Sequence, residues 1–317
     1  MAAQKSITLF MLVTDRDCMF ADFAVKSYGK VARSAGEGSS GFVLFVYLNC
    51  LSDAHVARYA DRWRAYPYVE VFDNREKVRG TPLYPGQEMV SPEGIARRRD
   101  DAAENYDELW TTELRAFRTP LVATVDADFE VLHPDFFHQL LAALRCDDRA
   151  VGASTDYSPT ARVYDTYSRR HMTLWERNHT WFCIYRREAF ELSDVSHFYY
   201  EEQGADGEAV AYDSAAYFQR DLRGRHGRTF AALGPEYSRS YIHYGAASKN
   251  KSITPGNVRL YRKLFIWSTV GVLYGSRLGR AGRALNAVVR RAVGAASRDV
   301  LERTAAERTT YVYDDPP

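Results

Sequence analysis

Two carboxylates separated by one residue occur twice in this chain, each time directly after an apolar run. Asp15 and Asp17 follow "ITLFMLV" and a threonine, and Asp126 and Asp128 end "LVATVDAD". In an extended chain, residues two apart point to the same side, so Asp126 and Asp128 converge while Ala127 faces away. Carboxylates about 7 Å apart repel by roughly 2 kcal/mol at an effective dielectric near 20, and a cation between them reverses that cost. Hard oxygen ligands at a strand end suit Mg²⁺ or Mn²⁺, which complete their shell with water and phosphate. The alternative is that both aspartates are solvated turn residues.

The elements that would position these residues follow from the apolar pattern. Ile7–Thr14 is almost wholly apolar, as for a strand covered on both faces, and "MFADFAVKSYGKVARSAG" then reads as a helix. "GFVLFVYLNC" repeats the strand signal, and "SDAHVARYADRWRAY" reads as a helix capped by Ser52 or Asp53. "VEVFDN" is a short strand. After a Gly/Pro-rich loop, the helical "GIARRRDDAAENYDELWTTELRAF" leads into the buried strand "PLVATVDADF". Such alternation specifies an α/β fold, a Rossmann-like, mainly parallel sheet with helices on both faces. Ligands in such sheets bind outside the carboxyl ends of the strands, where Asp126 and Asp128 fall.

Beyond Asp128 the pattern loosens. "HPDFFHQLLAALRC" reads as a helix, "AVGASTDYS" as a strand and loop, and "TWFCIYRREAF" as a strand entering a helix, while Glu201 and Glu202 fall in an expected flexible loop. From 259 to 308, eleven Lys or Arg stand against three acids. That excess reads either as a solvated helical face or as a peripheral membrane contact. The apolar stretch Leu264–Gly275 is too short to span a bilayer.

Composition narrows the function classes. A net charge of +1 gives no case for nucleic acid, and four well-spaced cysteines (Cys18, Cys50, Cys146, Cys183) indicate neither a disulfide framework nor a zinc ribbon. A cytoplasmic setting, with peripheral contact at the inner membrane face as an option, is the expectation.

"LVATVDADFEVL", at the end of an apolar strand with alternating strands and helices before it, resembles the DxD signature of GT-A nucleotide-sugar-dependent glycosyltransferases. The downstream "SYIHYGAASKNK" agrees, and the resemblance covers about residues 7–251. It implies a metal-dependent transferase moving a sugar from a nucleotide-diphosphate donor, UDP-sugar favoured, to a hydroxyl acceptor such as a glycolipid, a cell-envelope precursor or a secondary metabolite. It divides the chain into a catalytic domain at 1–258 (nucleotide-sugar half 1–128, mixed acceptor-side half 129–258) and a basic, largely helical extension at 259–317.

By the same resemblance Asp126, Asp128 and His243 hold Mn²⁺ or Mg²⁺. Asp126, Ser248, Lys249 and Lys251 lie near the diphosphate, and Thr14, Asp15 and Arg16 contact the nucleoside. Asp213 is the candidate base, although Tyr212 stands where an acidic dipeptide is expected. Trp181 and Phe182 offer aromatic faces to the acceptor, or else are core. The competing readings are a haloacid-dehalogenase-like phosphohydrolase using Asp15 and Asp17, whose motif lacks the usual Gly or Thr, and a non-catalytic nucleotide-sugar-binding protein.

Overall fold

The computed structural model describes residues 6–34, 41–49, 51–73, 113–165, 169–195, 200–205, 207–245, 253–270 and 311–314. They divide into two compact units, 1–243 with 311–317, and 244–310. The expected boundary at 258/259 thus lies inside the second unit.

The first unit is built on a seven-stranded sheet. Its strands β1 (Ile7–Val13), β2 (Phe42–Leu48), β3 (Val69–Asp73) and β4 (Leu121–Asp126) come first in the chain. After β5 (Phe129–Val131) and the helix Asp135–Cys146 come β6 (Ala150–Ser154), β7 (Tyr157–Ser158), β8 (Ala161–Asp165), β9 (Arg170–Leu174), β10 (Arg177–Asn178) and β11 (Phe182–Arg186). The helix Ala189–Leu192, β12 (Tyr200–Gln203), β13 (Ala209–Tyr212), the helix Ala216–Gly224, β14 (Thr229–Ala232), β15 (Tyr241–His243) and β16 (Tyr311–Tyr313) complete it.

The sheet order is β14-β6-β11-β4-β1-β2-β3. β1 is parallel to both β2 and β4, and β2 to β3, whereas β11 runs antiparallel between β4 and β6. The fold is therefore the mainly parallel, Rossmann-like α/β sheet expected from the alternating pattern.

Every residue of β1 is buried because both faces of the sheet are covered. Leu9, Met11 and Val13 face one core with Ala24, Val25, Tyr28, Trp63 and Phe136. Phe10 and Leu12 face another with Tyr47, Tyr185, Phe190, Phe218 and Leu222.

Among the described residues the expected helices are present with two refinements, and positions 271–310 of the expected helical extension lie outside them. The first splits into Cys18–Ser27 and Gly29–Ser34. The second is capped by Ser52, whose side chain accepts from the His55 N–H, and passes through a π-turn at Val56–Ala60. Most of the helix expected over 94–117 lies outside the described residues.

A separate five-stranded sheet, ordered β12-β13-β9-β8-β16, brings the chain's end back against β8. It corrects the expected loop at Glu201 and Glu202. Both lie on β12, where Glu201 pairs with Arg170, and Glu202 pairs with Arg220 at 2.7 Å. In the second unit, Tyr244, Tyr261 and Phe265 pack together along the helix Val258–Val270.

Candidate functional site: a three-ligand cluster at the sheet's carboxyl edge

β1 lies between β2 and β4, the point where the strand order reverses direction across the sheet. The carboxyl ends of strands at such a switch point open a crevice that α/β proteins use for ligands. Asp126 is the last residue of β4 and pairs in register with Leu12 of β1. Ala127 then points into the core, and Asp128 is buried at the turn into β5. β5 pairs antiparallel with β15, placing His243 opposite Phe129 and beside Asp128. A three-residue ladder thus joins the two carboxylates to a histidine more than a hundred positions downstream.

His243 Nε2 lies 3.1 Å from Asp126 Oδ2 and 3.2 Å from Asp128 Oδ1. Burial alone would push this imidazole down, but the Asp128 charge and hydrogen bonds to Asp126 and Asp128 outweigh it and hold the pKa up at about 10. The imidazolium therefore supplies the positive charge that two converging carboxylates require. Ligand atoms of all three residues lie within 4.8 Å of one another, and this is the single such group of three among the described residues. Two carboxylates and one imidazole form a donor set suited to a divalent cation, which would take the proton's place.

Trp181 is part of this site. Its ring centroid is 4.4 Å from that of His243 on one side, and it stacks on His179 at 3.8 Å with an interplanar angle of 1°. His179 is buried, and its Nε2 lies 2.6 Å from Ser158 Oγ. Burial, then the charges of Arg177 and His243, push its pKa down to about 2, so it stays neutral. Phe182, the other aromatic candidate, is fully buried against Phe129, Phe136 and Tyr28. Its side chain belongs to the core and offers no face to an acceptor.

The turn Thr14–Asp17 leaves β1 at the same sheet edge, and its two carboxylates take different partners. Asp17 Oδ2 accepts from the Thr14 N–H at 3.1 Å and the Thr14 hydroxyl at 2.5 Å. Asp15 Oδ1 accepts from the Ser52 N–H at 2.7 Å and lies 3.0 Å from His55 Nδ1. Asp15 thus ties the end of β1 to the segment after β2, whereas Asp17 bonds within its own turn.

Asp213 precedes the helix Ala216–Gly224. One of its oxygens lies 2.6 Å from Arg177, and the other accepts from the Ser214 N–H. Arg177 in turn acts on His179, which stacks on Trp181. Ser248, Lys249 and Lys251 lie outside the described residues.

Sequence reasoning missed Asp156 and Tyr241. Asp156 Oδ2 accepts from the Tyr241 hydroxyl at 2.8 Å and from Trp181 Nε1 at 3.2 Å. No local signal marks either residue, because the partners are 85 and 25 positions from Asp156.

No protein-family model matches the chain, and no curated protein matches it in sequence. Among solved structures, it is similar to glucosyl-3-phosphoglycerate synthase from Mycobacterium tuberculosis in complex with uridine diphosphate. That match has 12% identity and a TM-score of 0.42, and covers 85% of this chain and 81% of that one. The same enzyme in complex with Mn²⁺, UDP-glucose and phosphoglyceric acid matches with 12% identity and a TM-score of 0.41, over 84% and 80% of the two chains.

Proposed function

We propose that this protein is a metal-dependent glycosyltransferase of the GT-A type, transferring a sugar from a nucleotide-diphosphate donor, UDP-sugar first, to a hydroxyl acceptor. The observation that carries the reading is the Asp126, Asp128 and His243 cluster at the carboxyl edge of β4, at the sheet's switch point. These three residues would hold Mn²⁺ or Mg²⁺, which stabilises negative charge developing on a diphosphate leaving group.

The chain's own groups divide the remaining work. The loop Thr14–Arg16 lies beside Asp126 across β1 and is suited to the nucleoside. Thr14 and Asp15 are already held by hydrogen bonds, so the loop is shaped before a donor arrives. Trp181 presents a partly buried ring beside His243. Asp213, with both oxygens engaged, would act as a base through a remaining lone pair, with Arg177 compensating its charge. Lys249 and Lys251 are proposed for the diphosphate on the sequence resemblance alone, and peripheral membrane contact through 259–308 on charge alone.

The phosphohydrolase reading loses its footing because Asp15 and Asp17 are committed to different partners. Calorimetric titration of UDP, GDP and their sugars, with Mn²⁺ present or chelated, tests the transferase reading. The expected result is metal-dependent nucleotide binding that Asp128→Ala abolishes; metal-independent binding untouched by that substitution would remove the cluster from the site.

A further inference from the structure

The third ligand needs outside support. β15 is three residues long and pairs with a β5 of equal length. So short a ladder fixes where His243 sits in the chain but leaves its ring direction to neighbouring side chains. Two such neighbours meet one carboxylate oxygen. Tyr241 is two residues before His243, hence on the same side of β15, and its hydroxyl donates to Asp156 Oδ2 at 2.8 Å and to the Thr155 carbonyl at 3.2 Å. Trp181, whose ring borders the imidazole, donates its Nε1–H to Asp156 Oδ2 at 3.2 Å and to Thr155 Oγ1 at 3.1 Å.

Asp156 is itself fixed. Its backbone carbonyl accepts from Ser154 Oγ at 2.7 Å and from the His179 N–H at 2.9 Å. His179 then stacks beneath Trp181, and Tyr241 stacks on Phe129, the residue after Asp128. The contacts run from Asp156 through Trp181 to the His243 ring, and from Asp156 through Tyr241 to the strand that carries His243.

We propose that Asp156 is a positioning residue for the metal centre: by holding Trp181 and Tyr241 on one carboxylate oxygen, it sets the His243 imidazole toward Asp126 and Asp128. This deepens the metal-site reading of the proposed function and rests on it. Outer groups that orient metal ligands typically alter metal affinity by about 10- to 100-fold when removed. Asp156 is not one of the three candidate ligands and reaches them through Trp181 and Tyr241, so the effect assigned to it passes through His243.

The test is Mn²⁺ binding to the full chain, measured by electron paramagnetic resonance of free Mn²⁺, with and without UDP. Asp156→Ala is expected to weaken Mn²⁺ about 10- to 100-fold. Asp156→Asn, which keeps an oxygen for both donors, should restore most of the affinity. In a His243→Ala background, Asp156→Ala should add little further loss, because the ligand it positions is gone. Should Asp156→Ala fail to fold, Tyr241→Phe and Trp181→Phe each remove one donor, and each should weaken Mn²⁺ in the same direction. An unchanged Mn²⁺ affinity in folded variants, or an equal loss in the His243→Ala background, overturns the positioning role alone. A parent protein that binds no Mn²⁺ in either condition overturns the metal reading and this proposal with it.

Discussion

At the residue scale, His179 makes a prediction about stability against pH in the metal-free chain. Its pKa in the folded protein, about 2, lies far below the 6.5 of an exposed histidine. Above pH 6.5 both folded and unfolded chains hold it neutral and no penalty arises. As the pH falls below 6.5, the unfolded chain takes up a proton that the folded chain refuses, so this residue's contribution to stability is progressively lost. The slope approaches 1.4 kcal/mol per pH unit, or about 2–3 kcal/mol by pH 4.5. His179→Gln, which keeps a polar partner for Ser158, should lower stability at pH 7.5 through lost stacking. It should also flatten the fall between pH 6.5 and 4.5; parallel urea-unfolding curves for parent and variant across that range would refute the assignment.

The same scale shows which site residues a reader of the sequence could find. Asp126 and Asp128 were legible because the two-residue period of a strand is a local property. His243 came only from resemblance, since nothing local brings it to a carboxylate 117 positions away. Trp181 was visible as a residue but not in its role, because its neighbours His179 and Asp156 arrive by folding. Phe182 was indistinguishable from Trp181 by type, and burial alone separates them.

Between residues and fold stand the elements, and here the packing of β6 against β14 leaves little room. Gly152 in β6 is covered by the ring of Phe230 from β14, and a Cβ at 152 would fall inside that ring's van der Waals envelope. Phe230 is itself held between Tyr185 and the Arg223 guanidinium. Gly152→Ala is expected to cost about 1–3 kcal/mol by overpacking, read as a lower urea midpoint at unchanged slope. Phe230→Leu in the same chain should recover part of the loss; a Gly152→Ala variant as stable as the parent would show the ring free to move aside.

Elements differed in legibility for the same reason. β1, β2 and β4 carry continuous apolar runs because helices cover both sheet faces. β8, β9, β12 and β13 have mixed burial, so their sequences look like polar connections and the second sheet was not foreseen. Nor could the insertion of β11, antiparallel, between β4 and β6 be read from its own residues, because strand order is a long-range property. Yet that insertion places Trp181, directly before β11, against the site: the Trp181 carbonyl accepts the Asp126 N–H at 2.9 Å.

For the whole molecule, a cation held by Asp126, Asp128 and His243 would be bound by the native chain alone. All of them belong to the first unit, and they converge only when β4, β5 and β15 are in place. An unfolded chain has no equivalent site, so a bound cation stabilises the folded state by mass action, by about 2.7 kcal/mol at a hundred times its dissociation constant. For a unit of this size each kcal/mol moves the melting temperature by roughly 2–4 °C. Saturating Mn²⁺ with UDP should therefore raise the melting temperature by roughly 5–10 °C, chelator should reverse the shift, and Asp128→Ala should remove it. In the metal-free chain the His243 proton partly fills the same role, so Asp128→Ala should also lower the melting temperature without any metal present. A shift of equal size in parent and Asp128→Ala would mean that Mn²⁺ and UDP stabilise the protein somewhere other than the end of β4.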